Sequence, residues 1–345
     1  MNYTEALTRM RGRRDPDALI ALEKYGGLKE EDPVKYLVGA MSEIPDGYTK
    51  KTYEEAERVK NQISKGLLRY SLGAEYRYQG SVTKNTHILA HSDIDVLSLE
   101  ERFIELEHPQ VPPNPYKGDP VANLCEMREI IDETLVGAFP QATVDSSGAK
   151  CINISGGSLC RSVDVVPSNW YDTNQYVKSG NEVYRGVHIL DFHQRVREKD
   201  APFIHTALFV QRDENSDGNL RRLVRLCKSL KYDSGRDDMP SSYDIEAIMY
   251  AMGDHLLGWG LGEEIQLARS CCIWLRRVAE NAVMRNSLCV PDGKRKIFEP
   301  GKTTLNDLNG LRQELDGLLA AILNGLQSQS RSLTEARINH MVAAY

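Results

Sequence analysis

The residues of this chain that could do chemistry gather in a few short stretches. Tyr78 to Leu97 reads YQGSVTKNTHILAHSDIDVL: a Gly-Ser pair, Gly80-Ser81, and then Asp93-Ile94-Asp95 leading into Val96 and Leu97. In a strand successive side chains alternate between faces, so Asp93 and Asp95 are expected on one face and Ile94 and Val96 on the other. Two carboxylates side by side repel, a cost that a hard cation with oxygen ligands removes. The Gly-Ser turn upstream offers what a phosphate needs, a close backbone approach with N–H groups and a hydroxyl.

Two-metal phosphoryl transfer asks for a third acid on a neighbouring strand, near the attacking hydroxyl. Arg161 to Pro167, RSVDVVP, is a β-branched apolar run with one acid, Asp164, at its centre. An acid in such a run is unusual, because buried carboxylates are rarely left unpaired. A D-x-D pair alone also suits an Asx turn or a solvated face. Taken with the Gly-Ser pair and Asp164, it points to a site: Asp93, Asp95 and Asp164 as catalytic residues and metal ligands, Gly80 and Ser81 on the nucleotide. The expected cofactor is Mg²⁺, two ions, with Mn²⁺ as a substitute.

These residues need a sheet and something behind it. Tyr48 to Leu72 is a long helical segment with Tyr53, Ala56, Val59, Ile63, Leu67 and Tyr70 at spacings of three and four, closed by Gly73. Ala74 to Gln79 and Ile94 to Glu100 read as the first strands, with the Gly-Ser turn and a short polar helix between them. The proline-rich stretch Pro109 to Pro120 excludes regular structure. Asp119 opens a helix to about Phe139, and Ala142 to Asp145, Ala149 to Ser155, Ser162 to Val166 and Val183 to Asp191 read as further strands. From Pro202 onward every periodic segment is helical, which divides the chain into a catalytic core, 1–200, and a helical lobe, 201–345. Outside the core pattern, Asp15 to Tyr25 and Pro33 to Met41 form short helices, and the tail holds two, Leu305 to Leu326 and Leu333 to Ala344.

The helical lobe carries a further stretch. Leu220 to Lys231, LRRLVRLCKSLK, sets Arg221, Arg225, Lys228 and Lys231 near one face. That pattern is either a solvated basic stripe or an anion site. Ser242 is placed to cap the helix from Tyr243 to Leu257, and a cap serine beside a lysine of the preceding helix would make a second anion pocket. His87 and His91 read as peripheral to the carboxylates, and Arg236-Asp237-Asp238 as an exposed loop.

With 345 residues, 41% hydrophobic and 27% charged, the chain is long enough for two lobes of a globular protein. It has no apolar run of membrane-spanning length and its start lacks a signal-peptide core, so no membrane partner and a cytoplasmic location are expected. Seven cysteines without C-x-x-C spacing read as reduced thiols. A net charge of −6 speaks against direct binding of double-stranded DNA.

The pattern G-S, then D-I-D, then V-D-V-V-P resembles the polymerase β-type nucleotidyltransferase superfamily. More narrowly it is similar to the bacterial cGAS/DncV-like nucleotidyltransferases (CD-NTases), relatives of cyclic GMP-AMP synthase and oligoadenylate synthase. The resemblance implies an α+β fold: a polymerase β-like core, a mixed sheet with helices, plus a C-terminal helical lobe, bilobal with the active-site cleft between. It implies that Lys228 and Ser242 engage phosphates of the donor nucleotide and that Tyr243 stacks on its base. Asn169, in Pro167-Ser168-Asn169-Trp170-Tyr171, lies where a second nucleotide would sit and could read a base edge, or it is an ordinary turn residue after a proline.

The implied activity is joining of ribonucleoside triphosphates into a cyclic di- or trinucleotide, a second messenger that activates a downstream effector in anti-phage (CBASS-type) defence. An operon-encoded regulator, or a conjugation machinery acting at the C-terminus, is a further partner class. Two competing functions are transfer of a nucleotide onto RNA, protein or a small molecule, and a non-catalytic nucleotide-binding regulator on the same fold. Three retained, mutually repelling acids argue against the last.

Overall fold

A computed structural model describes residues 1–12, 31–89 and 93–342. The helix expected over Asp15 to Tyr25 lies outside the described residues, as does His91. The chain divides into two compact units, one of residues 45–87 and 91–211, the other of residues 1–44, 88–90 and 212–345.

The first unit is built on a mixed seven-stranded sheet. Its strands are β1 (Ala74–Gln79), β2 (Ile94–Leu106), β3 (Thr143–Asp145), β4 (Ile152–Ser155), β5 (Val163–Asp172), β6 (Gly186–Asp191) and β7 (Val196–Asp200). The order β1-β2-β5-β4-β3 places β2 and β5 at the centre as the parallel pair; the other pairings are antiparallel. Strand β5 runs six residues beyond the expected end at Val166. Pro167 is tolerated there because β4 pairs only up to Val165 and β6 only from Ser168, so no partner on that edge needs its missing N–H. Strand β7 has no apolar alternation to announce it: VREKD is an edge strand of charged residues, which protects an exposed edge from further pairing.

Two long helices cover one face of this sheet. The first of them (Asp46–Arg69) turns Ala56, Val59, Ile63 and Leu67 inward at the expected spacing. The second (Pro120–Ala138) starts where Asp119 Oδ1 accepts the Val121 N–H at 2.8 Å, and buries Leu124, Met127, Ile131 and Leu135. These side chains meet Ile94 and Val96 of β2, Ile152 and Ile154 of β4, and Val163 and Val165 of β5 in one core. Each such burial contributes roughly 1.5–3 kcal/mol. Tyr70 is not part of that stripe: it is exposed at the helix end. The opposite face carries a smaller cluster of Leu97, Leu99, Val166, Trp170 and Val187.

The second unit is helical, and it includes the N-terminus. Its first helices are Tyr3–Gly12 and Asp32–Met41, and the basic segment forms the helix Asn219–Ser234. Tyr36 Oη donates to buried Asp233 Oδ2 at 3.0 Å, and the Arg225 guanidinium donates to Met41 O at 3.0 Å. These contacts give residues 1–44 to the helical unit rather than to the expected 1–200 core. The other edge falls between Gln211 and Arg212, inside the helix Pro202–Glu214, rather than at 200. The tail is one helix, Leu305–Val342, not two. No described helix is long and apolar enough to cross a membrane.

Candidate active site

Strand register assembles the site. Asp95 of β2 lies directly opposite Asp164 of β5 in the parallel pair, and Gln79 of β1 lies opposite Asp95 on its other side. Ile94 and Val96, like Val163 and Val165, point into the core under the two helices, so Asp95 and Asp164 share the other face of the sheet with Leu97 and Val166. Asp93 stands just ahead of β2 and is exposed, while Asp95 and Asp164 are half-buried.

The electrostatics are those of crowded like charges. Burial, then Asp164, then Asp93 push the Asp95 carboxyl up to about 7, and Lys84 pulls it partly back. Asp164 is raised as well, first by burial and also by Asp93, against a hydrogen bond from Asn153 that favours its charged form. Burial raises the neighbouring Cys151 thiol to about 11, and Asp164 and Asp95 add to the shift, so that cysteine stays protonated. Among the described residues no three His, Cys, Asp or Glu side chains converge as a ready-made cation site. The donor set still fits a hard divalent cation: oxygen donors only, two of them opposed on rigid strands, and more negative charge than Lys84 offsets.

Gly80 closes the site from the β1 side. Its φ is +92°, and a Cβ there would run into Asp95 Oδ2, so the backbone can approach the carboxylate only because the residue is glycine. The stretch after it is a chain of turns over Ser81 to Asn85, not the expected short helix. Thr83 Oγ1 donates to Gly80 O at 2.9 Å, and the Thr86 N–H donates to Ser81 O at 2.9 Å. Asn85 in the left-handed region (φ +54°) breaks any helical continuation.

Two residues of this site were not foreseen. Asn153 of β4 pairs with Asp164 across the sheet, and its Nδ2 donates to Asp164 Oδ1 at 2.8 Å, fixing that carboxylate's orientation. Lys84 is buried in the turn beside Asp95, with its ammonium 5.9 Å from the Phe209 ring centroid. Only strand register could have revealed the first; the sequence of an unpaired β4 does not carry it.

Asn169 is not brought to the carboxylates. Five residues beyond Asp164 on the same strand, it has the opposite parity and faces the other side of the sheet. It is fully buried in β5, not in a turn, and its Nδ2 donates to buried Glu100 Oε2 at 3.4 Å. The turn reading therefore falls away, and the side chain does not share the carboxylates' face. His87 is also buried, with Nε2 2.9 Å from Thr49 Oγ1.

In the helical unit the basic stripe is not a solvated face. Arg221 pairs with Asp213 at 2.7 Å, Lys231 Nζ donates to Pro240 O at 2.8 Å, and Arg225 and Lys228 are buried. Burial lowers the Arg225 guanidinium to about 10. The following helix (Ser242–Tyr250) is capped by Ser241, whose Oγ accepts the Asp244 N–H at 3.0 Å; Ser242 is its first residue, not its cap. Tyr243 next to it is 43% exposed.

The family described as the cGAS/DncV-like nucleotidyltransferase C-terminal helical domain matches residues 208–320. The cyclic dinucleotide synthase CdnE of Yersinia aleksiciae is 36% identical over 275 residues, which covers 79% of this chain and 72% of that protein. Among solved structures, a STING-associated CdnE c-di-GMP synthase from Capnocytophaga granulosa superimposes with a TM-score of 0.74 at 26% identity, covering 95% of this chain and 100% of that one. A STING-associated CdnE c-di-GMP synthase from Flavobacteriaceae sp. shares the fold with a TM-score of 0.76 at 23% identity, over 94% and 99% of the two chains. Sheet, helical domain and sequence kinship agree: the chain belongs to the bacterial cGAS/DncV-like nucleotidyltransferases, and it is a nucleotidyltransferase.

Proposed function

We propose that the protein joins two ribonucleoside triphosphates into a cyclic dinucleotide and releases pyrophosphate, with Asp93, Asp95 and Asp164 as its catalytic acids. The observation that carries this reading is the opposed Asp95–Asp164 pair beside the Gly80 turn. The names of the relatives in Yersinia aleksiciae and Capnocytophaga granulosa favour a cyclic dinucleotide over the larger ring that the motif alone also admits.

In this mechanism the Gly80–Ser81 backbone and the Ser81 hydroxyl hold the phosphates of the donor. Lys228 and Ser242 bind phosphate, and Tyr243 offers a ring on which a base stacks without being chosen, since every base has a π-face. Mg²⁺ at the three aspartates would neutralise the triphosphate and lower the pKa of the acceptor's ribose hydroxyl. Asp164, oriented by Asn153, stands ready to take the hydroxyl proton. The hydroxyl oxygen forms a bond to the α-phosphorus, the bond from that phosphorus to the bridging oxygen breaks, and pyrophosphate leaves with the electron pair. A second transfer within the linear intermediate closes the ring. The product would serve as a second messenger for an effector in anti-phage signalling.

The test incubates the purified protein with Mg²⁺ and all four ribonucleoside triphosphates, one α-³²P-labelled at a time, followed by phosphatase. The expected result is a phosphatase-resistant product that is absent with Asp93→Ala/Asp95→Ala, and the labels it retains name the bases. Label found only on RNA, protein or a small molecule would overturn cyclisation and leave nucleotidyl transfer to another acceptor.

A further inference from the structure

The start of the Ser242–Tyr250 helix is more heavily built than a cap requires. Asp244 is its third residue, buried, and its backbone is fixed by the Ser241 cap. A buried carboxylate needs partners, and this one has two from a distant part of the chain. Arg295 pairs with Oδ1, and Thr303 Oγ1 donates to Oδ2 at 2.7 Å. Arg295 comes from a tight reversal in which the Val290 N–H donates to Arg295 O at 2.9 Å and Cys289 bridges Lys296. Its guanidinium also donates to Lys296 O at 3.1 Å, so the side chain is held at several points.

This anchored guanidinium then lies over the Tyr243 ring, 5.2 Å from the centroid. Arg295 is mostly covered, whereas Tyr243 remains 43% exposed. A cavity of about 440 Å³ opens at the same place, lined by Ser241, Tyr243, Arg295, Lys302 and Thr303 among others. An exposed tyrosine normally samples several rotamers, and ordering it on binding costs affinity. A cation fixed against the ring by a buried carboxylate removes that freedom beforehand.

We propose that Arg295, anchored by Asp244 and Thr303, is a positioning residue that holds the Tyr243 ring in place as the stacking platform for a nucleobase. It acts through the ring and not on the nucleotide. The inference rests on the reading of Tyr243 as a base-stacking residue given above. The guanidinium is already committed to Asp244 and to Lys296 O, which leaves it poorly suited to bind a phosphate itself. Restraining the platform is worth about 5- to 10-fold in nucleotide affinity.

The experiment measures binding of non-hydrolysable ATP and GTP analogues with Mg²⁺ to the full chain by calorimetry, for Arg295→Ala, Arg295→Lys, Tyr243→Ala and the double variant, with thermal melts alongside. Arg295→Ala should weaken binding of whichever analogue Tyr243→Ala weakens, Arg295→Lys should recover part of it, and in the Tyr243→Ala background the loss of Arg295 should add less than 2-fold. A full additional loss in the double variant would overturn the proposal in favour of direct contact with the nucleotide. If Tyr243→Ala weakens binding and Arg295→Ala does not, only the positioning role fails. If Tyr243→Ala leaves binding unchanged, the stacking role of Tyr243 fails and the inference with it. Should Arg295→Ala not fold, Thr303→Val removes one anchor of Asp244 and is expected to shift affinity in the same direction by a smaller factor.

Discussion

Two groups of acids, one in each unit, are treated in opposite ways. In the helical unit Asp244 is answered by Arg295 and Thr303, Asp213 by Arg221 and Asp233 by Tyr36. In the sheet unit Asp95 faces Asp164, with Asp93 close by and only Lys84 easing the repulsion on Asp95. A fold does not leave carboxylates in that state for stability, because each unit of upward pKa shift costs about 1.4 kcal/mol when the group must ionise. Paired acids hold shape in both units, as Glu55 with Arg58 and Glu100 with Arg102 do in the sheet unit, and the crowded Asp95 and Asp164 are left for a ligand.

That contrast can be broken by substitution. The largest effect is expected from Asp164→Ala, which should lower turnover by about 10²- to 10³-fold or more while nucleotide affinity changes little. A parallel loss of affinity and turnover in steady-state and binding assays would remove it from the chemistry. Next comes Asp244→Ala, which breaks a buried pair and strands Arg295. A cost of about 3–5 kcal/mol and a fall in melting temperature on the order of 10 °C are expected.

The pH dependence sharpens the comparison further. The Asp95 carboxyl is raised to about 7 from an ordinary 3.8, so without a cation the native protein holds more protons than the unfolded chain between those values. Its contribution to stability is therefore present below about pH 4 and is lost as pH rises through 7. Asp95→Asn should melt several degrees higher than the native protein at pH 8 in chelator and show no such difference at pH 4. Added Mg²⁺ should stabilise the native protein at pH 8 and not the variant; identical melting curves for the two at pH 8 would refute the crowding of charge. The smallest effect is expected from Asn153→Ala, which loses the hydrogen bond that orients Asp164: about 10-fold in turnover, with melting temperature nearly unchanged.

Much of this was legible because strand and helix periods write themselves into residue order. Ile94 and Val96 against Asp95 gave the faces of β2, and Ala56, Val59, Ile63 and Leu67 gave the buried stripe of the helix behind it. What escaped depends on partners distant in the chain. Asn153 matters only through its register with Asp164, and Lys84 only through where its turn folds back. Asn169 stands close to Asp164 in sequence, but its parity along β5 turns it to the other face, and parity shows only once the strand is known to run past Pro167. The cap missed by one residue, Ser241 for Ser242, because two adjacent serines offer the same hydroxyl. In the tail, the polar run Gln327-Ser328-Gln329-Ser330 has no apolar rhythm, yet no proline interrupts it, and the helix continues. The N-terminal helices gave no sign of which unit they join, since an amphipathic stripe shows that a face is buried and not against what.

The parallel pairing of β2 with β5 also sets when the enzyme can exist. Two parallel strands need a long crossover, and here it contains the proline-rich connection, the helix Pro120–Ala138 and the β3–β4 hairpin. A chain emerging from the ribosome can make the Gly80 turn and pair β1 with β2 early, from local contacts. Asp95 meets Asp164 only after that whole crossover has been synthesised and folded. A chain that ends before Asp164 therefore cannot form this carboxylate pair at all.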